Sequence, residues 1–150
     1  GNSLVLFHRI EHGKKIYEKL RRESDKTVYY VDGGIDQDIR EEHKKKMEAG
    51  EDVVIVASYG TFSTGISIKK IHNIFFTESF KSEVIIRQSI GRGLRQHSSK
   101  DSVNIIDFVD DLSSQDWDNY LMRHAKERQR IYREQKFKYD IKNVDFEGDI

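Results

Sequence analysis

Apolar residues follow two alternating rhythms along this chain. Five short runs are almost continuously apolar: SLVLFH at 3–8, TVYYV at 27–31, DVVIVA at 52–57, IHNIFF at 71–76 and SVNIIDF at 102–108. Runs of this length predict strands covered on both faces, as in parallel sheets. Between them the spacing turns helical. Ile16, Tyr17 and Leu20 share one face of a helix running from about Glu11 to Ser24. Asp32-Gly33-Gly34 turns the chain after the second run. Asp36 stands where an N-cap belongs, and Asp38 falls in the first turn, where a carboxylate suits the helix dipole. That helix continues from Arg40 to Glu48, carries Lys44, Lys45 and Lys46 near its end, and stops at Gly50. Another helix is expected from about Ser82 to Leu94, and a last one from Asp116, its cap. On that last helix Trp117, Tyr120, Leu121, Ala125, Ile131 and Tyr132 form one apolar face, which Arg128 interrupts.

Strands alternating with helices predict an α/β fold: a mainly parallel sheet with helices on both faces, followed by a C-terminal basic helix. Ligands of such sheets bind beyond the strand C-termini. The loops after Phe7, Tyr30, Ala57 and Phe76 and the start of the 82–94 helix therefore carry the candidate chemistry.

In that helix Gln88, Arg92 and Arg95 fall on one stripe, and Ile86, Ile90 and Leu94 on another that can enter a core. Gly91 and Gly93 flank the polar stripe, each costing about 1 kcal/mol of helix stability against alanine. A Gln and two forked guanidiniums on a face thinned by glycine suit a triphosphate. Periodicity leaves a solvated face with two ordinary arginines equally open. The loop Ser58-Tyr59-Gly60-Thr61-Phe62-Ser63-Thr64 is rich in hydroxyls, which hold phosphate without reading bases; a plain Ser/Thr turn is the alternative.

Charge changes the picture only at the end of the chain. Formal net charge is zero, with 35% charged residues, so no global basic field points to nucleic acid. From Arg123 to Lys138, however, seven Lys/Arg face two Glu. With Tyr132, Phe137 and Tyr139 interleaved, Arg123, Lys126, Arg130 and Arg133 could track a phosphate backbone; a terminal helix with a solvated basic face is the plainer alternative. There is no cysteine, hence no disulfide frame and no thiolate metal site. The histidines are scattered, and no metal site is expected. The acidic residues from Asp140 to Ile150 read as a poorly ordered tail.

Gln88, Gly91, Arg92 and Arg95 match Q-x-x-G-R-x-x-R and resemble motif VI of superfamily 2 helicases. The hydroxyl loop with Gly65-Ile66-Ser67 resembles motif V, although Ser67 replaces the usual acidic residue and the loop is about one residue longer than in many family members. Leu4-Val5-Leu6-Phe7-His8 resembles motif IV. Val31-Asp32-Gly33 with the Arg40 helix resembles the segment between motifs IV and V, and Ile74-Phe75-Phe76-Thr77-Glu78 the strand leading to motif VI. The likeness covers about residues 3–111.

This resemblance implies a second RecA-like domain over 1–111, with 112–150 a terminal helix and tail packed on or extending from it. It implies ATP with Mg2+, bound mainly by an N-terminal RecA-like domain of the same protein. Arg92 and Arg95 would reach the phosphates, one of them as arginine finger, and Gln88 the γ-phosphate or attacking water. Gly65, Ser67 and Gly91 would lie beside the nucleotide. Arg9, Ser58, Thr61 and Thr64 would hold the nucleic-acid backbone. No G-x-x-x-x-G-K-[ST] loop and no Asp-Glu pair occur, so the chain carries half an ATPase, inactive alone. Ile105-Ile106-Asp107 imitates a Walker B strand but fits better as the strand after motif VI.

The wording of motifs V and VI is most similar to the phage UvsW-type recombination and repair helicases, near the RecG and XPB-like branch. That implies ATP-driven unwinding or branch migration of branched DNA, with annealing, by a monomeric cytoplasmic protein (host cytoplasm if viral). RNA stays open as a substrate. Two further readings stand beside it: a non-catalytic nucleic-acid-binding or annealing module, and a flavodoxin-like small-ligand domain.

Overall fold

The five apolar runs pair into one parallel sheet. In the computed structural model the described residues are 1–50, 52–61, 70–78, 87, 102–111 and 119–144. Within them β1 (Ser3–Phe7), α1 (Ile10–Glu23), β2 (Thr27–Val31), α2 (Gln37–Ala49), β3 (Val53–Ser58), β4 (Asn73–Phe76), β5 (Asn104–Asp107) and α3 (Tyr120–Glu134) follow in order. The sheet order is β2-β3-β1-β4-β5, with every pairing parallel.

β1 is central and buried throughout, which is why its run shows no polar alternation. Its register sets Leu4 between Ile55 and Ile74, and Leu6 between Ala57 and Phe76. Alternate side chains then divide between two cores. Leu4, Leu6, Ile55, Ala57, Ile74 and Phe76 pack on one face with Met47 of α2 and Ile131 and Tyr132 of α3. Val5, Phe7, Val54 and Val56 pack on the other with Ile16, Tyr17 and Leu20 of α1. Right-handed crossovers demand this split. The step from β1 to β2 and the return from β2 to β3 run in opposite directions, so α1 and α2 must lie on opposite faces. Each fully buried Leu, Ile or Phe contributes about 1.5–3 kcal/mol. β2 and β5 sit at the sheet's edges among the described residues and are only half-buried.

Local details depart from the expected ones in three places. Asp36 does precede α2, but its side chain makes no cap bond; Asp32 Oδ1 instead accepts from Gly34 N (2.8 Å) and shapes the turn. Gly50 ends α2 in extended backbone (φ −95°), while the positive φ falls on Asp52 (60°). Glycine serves there for closeness, since a Cβ would stand 3.0 Å from Lys46 O and Val53 Cγ2. α3 starts at Tyr120 and is capped by Asn119, whose Oδ1 accepts from Met122 N (2.7 Å); Asp116 lies outside the described residues. Gly13 admits Phe7, whose ring would be 2.5 Å from an added Cβ, so α1 lies directly on β1.

Asn2, unmarked by any pattern, is fully buried and staples three elements. Its Nδ2 donates to Met47 O (2.8 Å) and Gly50 O (3.2 Å), and its Oδ1 accepts from Val53 N (2.9 Å). The backbone N–H groups of His72 and Asn73 donate to its carbonyl. Of the expected 82–94 helix only Arg87 is described, and it is helical.

Candidate nucleotide and nucleic-acid edge of the sheet

The C-terminal ends of β1, β3 and β4 lie side by side, with Phe7 level with Ser58 and Leu6 level with Phe76. α1 begins here with Arg9 at its N-cap, a residue with no side-chain oxygen to satisfy the first N–H groups. Glu78, just past β4, supplies the acceptor. Its Oε2 accepts from His8 N (2.6 Å) and Arg9 N (2.9 Å), and its Oε1 meets Arg9 Nε (3.3 Å) and His12 Nδ1. The Glu78 side chain is 8% exposed. Burial works to raise its carboxyl, but the bonds from Arg9 N–H, His12 and His8 N–H outweigh it and hold the group below the usual glutamate range.

A pH dependence follows. A carboxyl depressed in the folded state stabilises fully above its unfolded value, about 4.3, and the gain is lost as pH falls through the lower folded value. Glu78→Gln should therefore be less stable than the parent at pH 7, and the gap in urea midpoint should close as pH drops below about 4.3. A gap that stays constant down to pH 3 would show that the bonds do not depend on ionisation.

Ser58 and Thr61 are buried and turned on each other. Ser58 Oγ donates to Thr61 Oγ1 (2.8 Å) and accepts from Thr61 N (3.3 Å), capping the helical turn at 59–61. Thr77 Oγ1 donates to Leu6 O (2.8 Å) and ties β4's end to β1. Arg9 keeps 77% of its side chain exposed on this edge. Gln88, Gly91, Arg92, Arg95, Thr64, Gly65 and Ser67 lie outside the described residues.

On the same edge, at the C-terminal end of β5, the terminal helix is bolted down by a charge. Arg128, expected to interrupt the apolar face, is completely buried within it. Its Nε and Nη2 donate to Asp107 Oδ2 and Oδ1, both at 2.8 Å, and Tyr132 OH donates to Oδ2 at 2.9 Å. Burial opposes the Arg128 charge, yet Asp107's bonds and charge hold the guanidinium above its ordinary value. Burial, reinforced by Asp107, likewise raises the Tyr132 phenol.

Arg123, Lys126, Arg130 and Arg133 all point outward along α3. Arg123 lies over the Tyr120 ring (6.0 Å), and Arg133 Nη1 donates to Tyr139 OH (3.1 Å). Arg130 bridges Glu127 (Nε to Oε2, 3.2 Å) and Glu134. Arg87 Nη2 donates to the second oxygen of Glu134 at 3.1 Å. A cleft of about 360 Å³ runs between β5, α3 and residues 137–143. No group of three His, Asp or Glu among the described residues could hold a metal, and no helix there is long and apolar enough to cross a membrane.

Residues 1–97 match the helicase conserved C-terminal domain. The ATP-dependent DNA helicase uvsW of Enterobacteria phage T4 is 39% identical over 153 residues, covering 95% of this chain and 30% of that protein. The crystal structure of T4 UvsW superposes with a TM-score of 0.75 at 38% identity, over 95% of this chain and 31% of that one. The C-terminal domain of the DEAD-box protein Dbp5 superposes at 0.66 over 88% of this chain and 70% of that one, where 16% identity shows a shared fold alone. The chain thus spans less than a third of its phage relative's length. A flavodoxin-like ligand domain does not fit these likenesses. The parallel five-stranded sheet is the α/β, RecA-like sheet of helicase C-terminal domains, and the chain belongs to the helicase conserved C-terminal domain family.

Proposed function

We propose that this chain is the second motor domain of an ATP-dependent DNA helicase acting on branched DNA, by unwinding, branch migration or annealing. One observation carries the reading: 39% identity along 95% of the chain to a protein named as an ATP-dependent DNA helicase. The domain closes over ATP, with its Mg2+, held mainly by an N-terminal RecA-like domain. Arg92 and Arg95 reach the phosphates, one as arginine finger; Gln88 contacts the γ-phosphate or attacking water; Gly65, Ser67 and Gly91 line the nucleotide side.

The DNA backbone lies across the C-terminal ends of β1 and β3. Support comes from the adjacency of Arg9, exposed two residues past Phe7, and the Ser58–Thr61 turn, which begins at the residue level with Phe7. Ser58 and Thr61, buried and with their hydroxyls bonded to each other, shape this edge, and Thr64 holds the backbone beside them. The outward stripe of Arg123, Lys126, Arg130 and Arg133 extends the phosphate-binding surface, and contacts of this kind are blind to sequence. Arg128 is no part of it, being neutralised inside.

The full-length protein should turn over ATP in a DNA-stimulated manner, whereas these 150 residues alone, lacking a phosphate loop and acidic pair, should turn over none. A coupled steady-state assay on both checks this. Turnover by the isolated chain would overturn the two-domain reading. No turnover by the full-length protein would return the chain to a non-catalytic nucleic-acid-binding module.

A further inference from the structure

Glu78 is an acid on an edge proposed to hold phosphate, where its charge alone would repel the ligand. It is nonetheless fixed there. Thr77 N and Oγ1 both donate to Leu6 O, at 3.2 and 2.8 Å, so the chain just past β4 is tied to β1. The carboxylate divides its work between its oxygens. Oε2 closes the N-terminus of α1 through His8 N and Arg9 N, while Oε1 takes Arg9 Nε and His12 Nδ1. Arg9 is thereby held at the inner edge of its guanidinium. Its side chain is otherwise 77% exposed, and among the described residues neither Nη has a partner. Those two groups form the outer fork, the edge that makes a two-pronged contact with phosphate.

We infer that Glu78 is a positioning residue for the nucleic-acid contact: it grips Arg9 at Nε and so presents the Nη fork to a backbone phosphate. This rests on the reading of Arg9 as a DNA contact. A free arginine gives up side-chain freedom when it binds phosphate, and one already held at Nε gives up less. Coulomb's law pulls the other way, because a carboxylate beside a phosphate repels it. Positioning and simple charge therefore predict opposite signs when Glu78 is neutralised. Glutamine separates them. Its amide oxygen can keep the bonds from His8 N and Arg9 N, while its NH2 group, a donor, cannot accept from Arg9 Nε–H.

The test follows binding of a short forked DNA by the full-length protein at several salt concentrations, well below every variant's thermal midpoint. The variants are Glu78→Gln, Arg9→Ala, the two changes together, and Arg9→Lys. Arg9→Ala should weaken binding and lower the salt slope by about one. Glu78→Gln should weaken binding about two- to tenfold, the cost of ordering one long side chain, although it removes a negative charge. In the Arg9→Ala background the same change should instead tighten binding, because only the repulsion is left to remove. Damage to the fold would weaken binding in both backgrounds, so a merely structural role cannot give this reversal. Arg9→Lys keeps the charge and the slope but loses the grip and the fork, and should also bind about two- to tenfold more weakly. It leaves Glu78 untouched and so serves even if the neutral variant unfolds. Parent or tighter binding by Glu78→Gln, the same loss in both Arg9 backgrounds, or parent affinity in Arg9→Lys would each overturn the positioning role alone. Parent affinity and slope in Arg9→Ala would overturn the placement of DNA on this edge along with it.

Discussion

Arg92→Ala and Arg95→Ala in the full-length protein should each cut DNA-stimulated ATP turnover steeply, by about 10³-fold or more for whichever is the finger. That loss corresponds to about 4 kcal/mol of transition-state stabilisation. The reason is electrostatic. In the proposed closed state, charge on the transferred phosphoryl group would be met by a guanidinium already in place, where water screens little. Arg→Lys should recover little, because a compact ammonium cannot make the forked contact. Folding should survive, since helical spacing turns both arginines away from Ile86, Ile90 and Leu94. DNA affinity and its salt dependence should also survive, because the proposed phosphate contacts lie at Arg9, Thr64 and along α3. Steady-state ATPase beside a DNA-binding isotherm at several salt concentrations checks each variant. Near-normal turnover in both, or unfolding in both, would leave the motif a structural helix.

The strands were legible because burial on both faces erases polar alternation, as in Leu4-Val5-Leu6-Phe7 and Val53-Val54-Ile55-Val56. Helix faces were legible where their partners were apolar, as for Ile16, Tyr17 and Leu20. What periodicity could not convey is a polar residue whose partner is far along the chain. Arg128 reads as a flaw in an apolar face because its acceptor, Asp107, is 21 residues away on another element. The lone acid in Ile105-Ile106-Asp107-Phe108 was the available signal, but a strand pattern does not say which side chain on another element it meets. Glu78 was hidden in the same way. The clue lay at the other partner: Arg9 has no oxygen with which to cap α1, so an acceptor had to come from outside. Ser58 and Thr61 were singled out for their hydroxyls, and only coordinates show that these face each other. Gln88, Arg92 and Arg95 were singled out by helical spacing and by motif, and lie outside the described residues.

Asp107→Ala should be the most damaging single change to the fold outside the apolar core. It removes the bidentate carboxylate from a guanidinium with no exposed surface, and breaking a buried ion pair from one side costs about 3–5 kcal/mol. For a chain of this size that lowers the thermal midpoint by roughly 6–20 °C, at about 2–4 °C per kcal/mol. Arg128→Met should cost less. It leaves the carboxylate with Tyr132 OH and an edge in solvent, the Asp107 side chain being 17% exposed, while the new side chain fills much of the same space. The two sides of one ion pair are therefore unequal. Asp107→Asn combined with Arg128→Met should come within about 1–2 kcal/mol of the parent, because no charge is left inside and the Asn oxygen still accepts from Tyr132. Urea unfolding of the parent and the three variants, followed by circular dichroism, gives the order. If Asp107→Ala costs less than about 1 kcal/mol, or if the double variant is as unstable as Asp107→Ala, the Asp107 carboxylate is not what holds the buried Arg128 charge.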